Sequence, residues 1–182
     1  FDNISGKKAE VYVDTEVHNS GKRTRTVAVE TVLVDAGDVP VKRVSQQVKL
    51  QAGESKTVRQ RFAVRNPKLW SPDSPYLYRI QSRVKAGHEV LDGGVTRVGI
   101  RKAEFKGKDG FWLNGKPFGQ LVGANRHQDF AYVGNALPNS QQWRDAKRLR
   151  DAGCTIIRVA HYPQDPAFMD ACDEMGQIGR AH

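Results

Sequence analysis

The chain has 182 residues, 38% of them apolar and 27% charged, with a formal net charge of +9. That composition belongs to a folded globular protein, excludes a disordered tail, and contains no apolar run of membrane-spanning length. The basic excess is spread along the chain, densest at Lys22-Arg23-Thr24-Arg25 and between Arg144 and Arg150. A nucleic-acid binder would carry a basic face with interleaved aromatics or a known module. Neither is present, so the charge reads as solvated surface, and neither nucleic acid nor a membrane is an expected partner. Two cysteines, Cys154 and Cys172, give no disulfide framework and no zinc spacing, and both read as small buried hydrophobes. The opening residues lack a signal-peptide layout. The chain reads as a segment of a longer protein, so the compartment, cytoplasmic or periplasmic, stays open.

Residues 8–101 alternate with a period of two, the mark of strands with one wet face. Val11, Val13, Thr15 and Val17 form one inward row. Val27, Val29, Thr31 and Leu33 form a second, and Val44, Val48 and Leu50 a third. Val58, Phe62 and Val64, then Tyr76, Tyr78, Ile80 and Val84, complete the pattern. Turn signals separate the rows at Asn19-Ser20-Gly21, Ala36-Gly37-Asp38, Ala52-Gly53-Glu54 and Ala86-Gly87-His88. About seven short strands at this spacing predict an all-β, immunoglobulin-like sandwich over residues 1–101. Within it, prolines 67, 72 and 75 bracket Trp70. Such a stretch cannot be a central strand and reads as a stiff crossing, with Trp70 capping one end of the core.

The texture changes after Arg101. Phe111-Trp112-Leu113-Asn114-Gly115-Lys116-Pro117 predicts a hairpin with a type I′ turn at Asn114-Gly115. Leu121-Val122 reads as the first parallel strand, leading through Gly123-Ala124 into Asn125-Arg126-His127-Gln128-Asp129. A helix follows, capped by Asn139 or Ser140, with Trp143, Ala146 and Leu149 on its inner face and Ala152-Gly153 at its end. Residues 155–160 predict a buried strand that finishes on Arg158, His161 and Tyr162 before Pro163. A second helix opens at Asp165-Pro166, buries Phe168, Cys172 and Met175, and ends at Gly176. Residues 102–182 therefore read as a truncated α/β segment of two βα units, the start of a barrel that needs roughly 250 residues to close.

Both polar clusters fall just after the C-terminal ends of predicted parallel strands, the rim where α/β folds bind ligands. One cluster is Asn125, Arg126, His127, Gln128 and Asp129, and the other is Arg158, His161 and Tyr162; their Arg, Asn, Asp and His side chains can hydrogen-bond several hydroxyls in a fixed pattern. That chemistry suits a sugar better than a phosphate, since no glycine-rich phosphate loop is present. Two plainer readings stand beside it: Arg158 making a buried ion pair, and His161-Tyr162-Pro163 forming a turn packed on the next helix. His127 and His161 have no third ligand at helpful spacing, so neither a metal nor another cofactor is expected. No Gly-x-Ser-x-Gly elbow supports a serine triad. His18, His88 and His182 carry no site signal.

The chain resembles glycoside hydrolase family 2, the β-galactosidase and β-glucuronidase group. The resemblance rests on Asn66-Pro67-Lys68-Leu69-Trp70-Ser71-Pro72 with Pro75-Tyr76-Leu77-Tyr78, on Val98-Gly99-Ile100-Arg101, and on Leu113-Asn114-Gly115-Lys116-Pro117. It is strongest in Gly123-Ala124-Asn125-Arg126-His127-Gln128-Asp129 and Ile157-Arg158-Val159-Ala160-His161-Tyr162-Pro163. It implies an immunoglobulin-like sandwich followed by the start of a catalytic TIM barrel. It also implies that His161 faces the sugar subsite, with Asn125, Arg126, His127 and Asp129 lining the same pocket. The implied chemistry is retaining hydrolysis by two glutamates roughly 5 Å apart, both on later barrel strands beyond this chain. The chain alone is then expected to be inactive, and its unpaired barrel edges are expected to drive self-association. A non-catalytic carbohydrate- or protein-binding sandwich is the competing reading. Two departures from the family pattern stand out. The stretch between Pro117 and Gly123 is one residue longer than the family's, and Gly119 there predicts a bulge or an altered first strand. After Gly176 the polar, glycine-broken Gln177-Ile178-Gly179-Arg180-Ala181-His182 replaces an expected apolar third strand and reads as foreign sequence.

Overall fold

The computed structural model describes residues 1–180, so the reading of His182 lies outside the described residues. The chain divides into two compact units. One comprises Phe1–Lys68 with Leu77–Ile100; the other comprises Leu69–Tyr76 with the chain from Arg101 onward.

The first unit is the expected sandwich, built from fewer and longer strands: β1 (Lys8–His18), β2 (Arg25–Val34), β3 (Pro40–Leu50), β4 (Ser55–Arg65), β5 (Tyr78–Ala86) and β6 (Glu89–Val98). β1 pairs antiparallel with β4, and the second sheet runs β3-β2-β5-β6. The predicted inward rows meet between the sheets, where Val17, Val27, Val29, Leu50 and Val58 form one buried cluster. β2 is central to its sheet and is buried on both faces from Val29 to Val34. Gln60 of β4 occupies an inward position that the apolar rows leave open. Its Nε2 donates to the Val29 carbonyl (2.9 Å), and its Oε1 accepts from the Thr31 hydroxyl (2.5 Å). A buried amide is tolerated because its donor and acceptor are both paired.

Glu10 is buried on the other face of β1, yet it stays ionised. Hydrogen bonds from Lys8, then Arg61 and Asn3, hold its carboxyl down to about 2. Arg59 lowers Asp14 in the same direction, and the Gln51 amide with Lys56 lowers Glu54. A carboxyl depressed in the folded state stabilises the fold above its unfolded value, and that contribution is lost as pH falls through the folded value. The melting temperature of the sandwich is therefore expected to fall as pH drops from about 4.5 towards 2. Glu10→Gln should flatten that acid limb in thermal melts across this range. Parallel limbs in the two proteins would show that Glu10 contributes nothing.

The second unit begins with a small antiparallel sheet of β7 (Ala103–Phe105), β8 (Phe111–Leu113) and β9 (Lys116–Pro117). Asn114 and Gly115 both have positive φ, 54° and 81°, as the predicted type I′ turn requires. A parallel sheet follows, ordered β10 (Gly123–Arg126), β11 (Ile156–Val159) and β12 (Ile178–Arg180), with α1 (Asn139–Asp151) and α2 (Pro166–Met175) as its crossovers. Both helices pack on one face of this sheet: Ala146 of α1 and Phe168, Ala171 and Cys172 of α2 share a cluster with Ile157 and Val159.

Several expectations are corrected here. The first barrel strand is Gly123–Arg126, and Leu121-Val122 lies before it. Gly123 is needed at the strand's start, because a Cβ there would sit 1.9 Å from the Ile156 carbonyl oxygen. Neither Asn139 nor Ser140 caps α1: Pro138 occupies the cap position, and no side chain accepts there. The ends of α2 do follow the sequence, with the Asp165 carboxylate accepting from the Ala167 N–H (2.8 Å) and Gly176 closing the helix at φ 72°. The tail read as foreign enters the sheet: Ile178 pairs with Ile156, and Gly179 with Ile157. Ladder bonds use backbone groups, so a polar, glycine-containing segment can still form a strand. Trp70, expected to cap the sandwich core, falls instead in the second unit by its contacts. It is fully buried, and its indole N–H donates to the Asp173 carbonyl of α2 (2.7 Å).

Cys172 is 1% exposed, and burial, aided by the charge of Asp173, pushes its thiol up to about 12. Only the thiolate reacts, and at pH 8 about one molecule in ten thousand would carry it. In a disulfide-exchange assay Cys172 is expected to stay silent in the folded chain and to titrate only on unfolding. Release of two thiols per native chain would contradict this.

Candidate active-site rim

The pleat of β10 and β11 divides the polar residues between two faces. In register, Gly123 pairs with Ile156, Ala124 with Ile157, Asn125 with Arg158 and Arg126 with Val159. Ile157 and Val159 face the helices. Side chains alternate across a strand, so Arg126 faces the helices too, and Asn125 and Arg158 face the opposite side. There they line, with Leu121, Gly123, Ala124 and Ile156, a concavity of about 380 Å³.

Arg126 is 6% exposed. Its guanidinium donates to Gln142 Oε1 (2.7 Å) and Asp145 Oδ2 (2.8 Å) on α1, and to Gln164 Oε1 (2.5 Å) in the segment entering α2. Its charged plane lies 3.9 Å from the Phe168 ring centroid. With these partners taken, the Arg126 side chain is held behind the sheet, on the face opposite Asn125 and Arg158. The sequence alone groups Arg126 with its neighbours, because a strand at Leu121-Val122 leaves Asn125 and Arg126 outside the pleat that separates them. That reading also misses Gln142, which shares a helix face with Ala146 and Leu149 at the four-and-three spacing.

His127 and His161 are exposed and leave the ends of neighbouring strands, where the Ala160 N–H donates to the Arg126 carbonyl (3.1 Å). The Ala160–His161 peptide is cis. The two imidazoles stand edge to face, centroids 5.5 Å apart, and the Tyr162 ring lies 6.0 Å from His127. The Tyr162 hydroxyl accepts from the Gln128 N–H (2.6 Å), which half-buries the ring against the first rim loop. Asp129 is exposed on that loop. The rim thus brings together His127, His161 and Tyr162, with Asn125 and Arg158 on the adjoining inner face, and it sends Arg126 elsewhere. Among the described residues no group of three His, Cys, Asp or Glu side chains is placed to hold a metal ion, and no helix is long and apolar enough to cross a membrane.

A β-sandwich followed by the opening βα units of a barrel, with polar side chains at the strand ends, defines the class: a multidomain protein of the kind that places its ligand site on a barrel rim. The sequence model described as glycosyl hydrolases family 2 matches residues 2–101, and that of the family's TIM barrel domain matches residues 104–178. The chain belongs to glycosyl hydrolases family 2. It is 35% identical over 178 residues to a β-galactosidase of Thermoanaerobacter pseudethanolicus, covering 97% of this chain and 23% of that protein. It is 31% identical over 175 residues to a β-galactosidase of Bacteroides ovatus, covering 96% and 20%. The crystal structure of a Bacteroides uniformis β-glucuronidase superposes with a TM-score of 0.92 at 30% identity, over 98% of this chain and 22% of that one. The chain therefore spans about a fifth to a quarter of the length of the relatives it matches.

Proposed function

We propose that residues 1–101 are the supporting sandwich, and residues 102–182 the opening of the catalytic barrel, of a retaining hydrolase of terminal β-glycosidic bonds, most like a β-galactosidase. In this reading His161 and His127 contact the sugar, with Tyr162, Asn125, Arg158 and Asp129 around them, and Arg126 supports the wall from behind. The observation that carries it is the convergence of His127, His161 and Tyr162 at the ends of two paired parallel strands, beside Asn125 and Arg158 in register. Mixed donors and acceptors at such a rim fit hydroxyl-rich ligands. Asp129 is exposed on the loop, and the Asp165 carboxylate is engaged in capping α2. The two glutamates that double displacement needs are read as lying on later barrel strands, so the chain by itself is expected to bind a β-glycoside weakly and to turn none over. The family names among the relatives, β-galactosidase and β-glucuronidase, support a carbohydrate substrate.

A second reading, a binding sandwich, has one observation in its favour. A cavity of about 550 Å³ opens at one end of the first unit, over an apolar floor of Val17, Val27 and Leu50, with Arg25 and Asp92 on its edge. Calorimetric titration of the whole chain with methyl β-glycosides separates the two. The hydrolase reading expects His161→Ala to abolish binding and Arg25→Ala to leave it unchanged; the opposite pattern would support the sandwich. Self-association also follows from the proposal. β10 and β12 are the outer strands of their sheet among the described residues, and unpaired strand edges recruit other chains. Light scattering should show species larger than a monomer, and a monodisperse monomer would refute that part.

A further inference from the structure

Gln128 sits between the two exposed groups of the first rim loop, His127 and Asp129, yet its own side chain turns inward and is half-buried. It makes three hydrogen bonds, two to the loop after β11 and one within its own loop. Its backbone N–H donates to the Tyr162 hydroxyl (2.6 Å) on the second rim loop. Its side-chain oxygen accepts from the Asp165 N–H (2.6 Å), where that loop turns into α2. Its Nε2 donates to the Asn135 carbonyl (3.1 Å), further along its own loop. The backbone bond and the Asp165 bond both reach residues that follow His161 on its loop. Together they span the gap across which His127 and His161 face each other.

We propose that Gln128 is a positioning residue: its side chain clamps the loop after β11 to the loop after β10, and so fixes His127 and His161 on one sugar subsite. The clamp rests on the sugar-wall reading for its purpose but not for its geometry. Two loops that each carry one ligand-contacting ring lose affinity when they move independently, because the rings must then be ordered at the moment of binding. The acceptor for the Asp165 N–H carries the clamp across the loops, and the amide's donor to Asn135 acts only within its own loop. Nothing in the exposed part of the motif reveals this; the signal is a neutral polar residue half-buried amid exposed ones.

The test compares wild type with Gln128→Met, which keeps the bulk but removes both side-chain bonds, and with Gln128→Glu, which keeps the acceptor for the Asp165 N–H. Two readouts are followed by NMR: hydrogen exchange at the Asp165 amide, and the nuclear Overhauser contact between the His127 and His161 rings. Gln128→Met is expected to speed Asp165 exchange about tenfold, the upper end for one net hydrogen bond. It should also abolish the ring–ring contact while exchange in the β10–β11 ladder stays at the wild-type rate. Gln128→Glu should restore both readouts. A ring–ring contact of wild-type intensity in Gln128→Met, or no recovery in Gln128→Glu, overturns the proposal. So does a Gln128→Met chain whose β10–β11 ladder collapses or that fails to fold, since Gln128 would then be a folding residue. Titration of wild type with a methyl β-glycoside keeps the two claims apart. No binding with the clamp signature intact overturns the function and supports the clamp; binding with rings indifferent to Gln128→Met overturns the clamp alone.

Discussion

Trp70→Ala is expected to unfold the second unit while amide protection persists in the sandwich. Trp70 has no exposed surface, and it is fixed from several sides. Its indole N–H donates to Asp173, its carbonyl accepts from the Asn114 side chain (2.9 Å), and the Arg101 guanidinium stacks 4.2 Å from its ring centroid. Asp173 is on α2 and Asn114 is in the β8–β9 turn, so one residue ties the small sheet, through its backbone carbonyl, to the helix layer, through its indole. Truncating a buried Trp costs roughly 3–5 kcal/mol, a large share of the about 5–15 kcal/mol that holds a domain folded. The melting transition of the second unit should therefore fall by roughly 15 °C or more. Hydrogen exchange resolved by residue is the measurement: β10, β11 and α2 should lose protection, and β2 and β4 should keep it. If β2 and β4 exchanged first instead, Trp70 would be a sandwich residue after all.

Arg126→Met is the second large effect, and it acts from behind the rim. The side chain of Arg126 is 5% exposed, and its acceptors on Gln142 and Asp145 are arranged around a positive charge. Gln142 is fully buried, so removing the guanidinium strands an acceptor where water cannot reach it. Breaking a buried charged network by deleting one partner costs roughly 3–5 kcal/mol. Replacing the partners by apolar groups of similar shape can recover much of that loss. The triple variant Arg126→Met, Gln142→Leu, Asp145→Leu is therefore expected to be more stable than Arg126→Met alone in urea melts. Equal midpoints for the two would show that the network carries no such penalty.

These two residues also mark where the sequence was legible. The sandwich, the Asn114-Gly115 hairpin and the ends of α2 were readable because each rests on a local rule: period-two alternation, paired positive φ, and an Asp cap with proline in the first turn. The place of Trp70 was not legible because the partner of its indole N–H, Asp173, lies 103 positions away, and nothing local ties it to Arg101 or Asn114. The first barrel strand was misplaced because apolar Leu121-Val122 outweighed Gly123-Ala124-Asn125-Arg126 in a hydrophobicity reading. That strand is polar for two separate reasons: Asn125 lines a concavity, and Arg126 meets its acceptors on α1 and at Gln164. The grouping of His127, His161 and Tyr162 followed from strand ends alone. The division of Asn125 from Arg126 needed the register, and the role of Gln128 needed the hydrogen bonds.

The central claim is that the rim around His161 is one wall of a sugar subsite. Chemical-shift mapping of the whole chain during titration with a methyl β-galactoside tests it most directly. The account expects shifts that saturate together at His127, Asn125, Arg158 and His161, with Arg25 and Asp92 in the sandwich unmoved. Saturable shifts confined to Arg25 and Asp92, or none at the rim up to the solubility of the sugar, would contradict it.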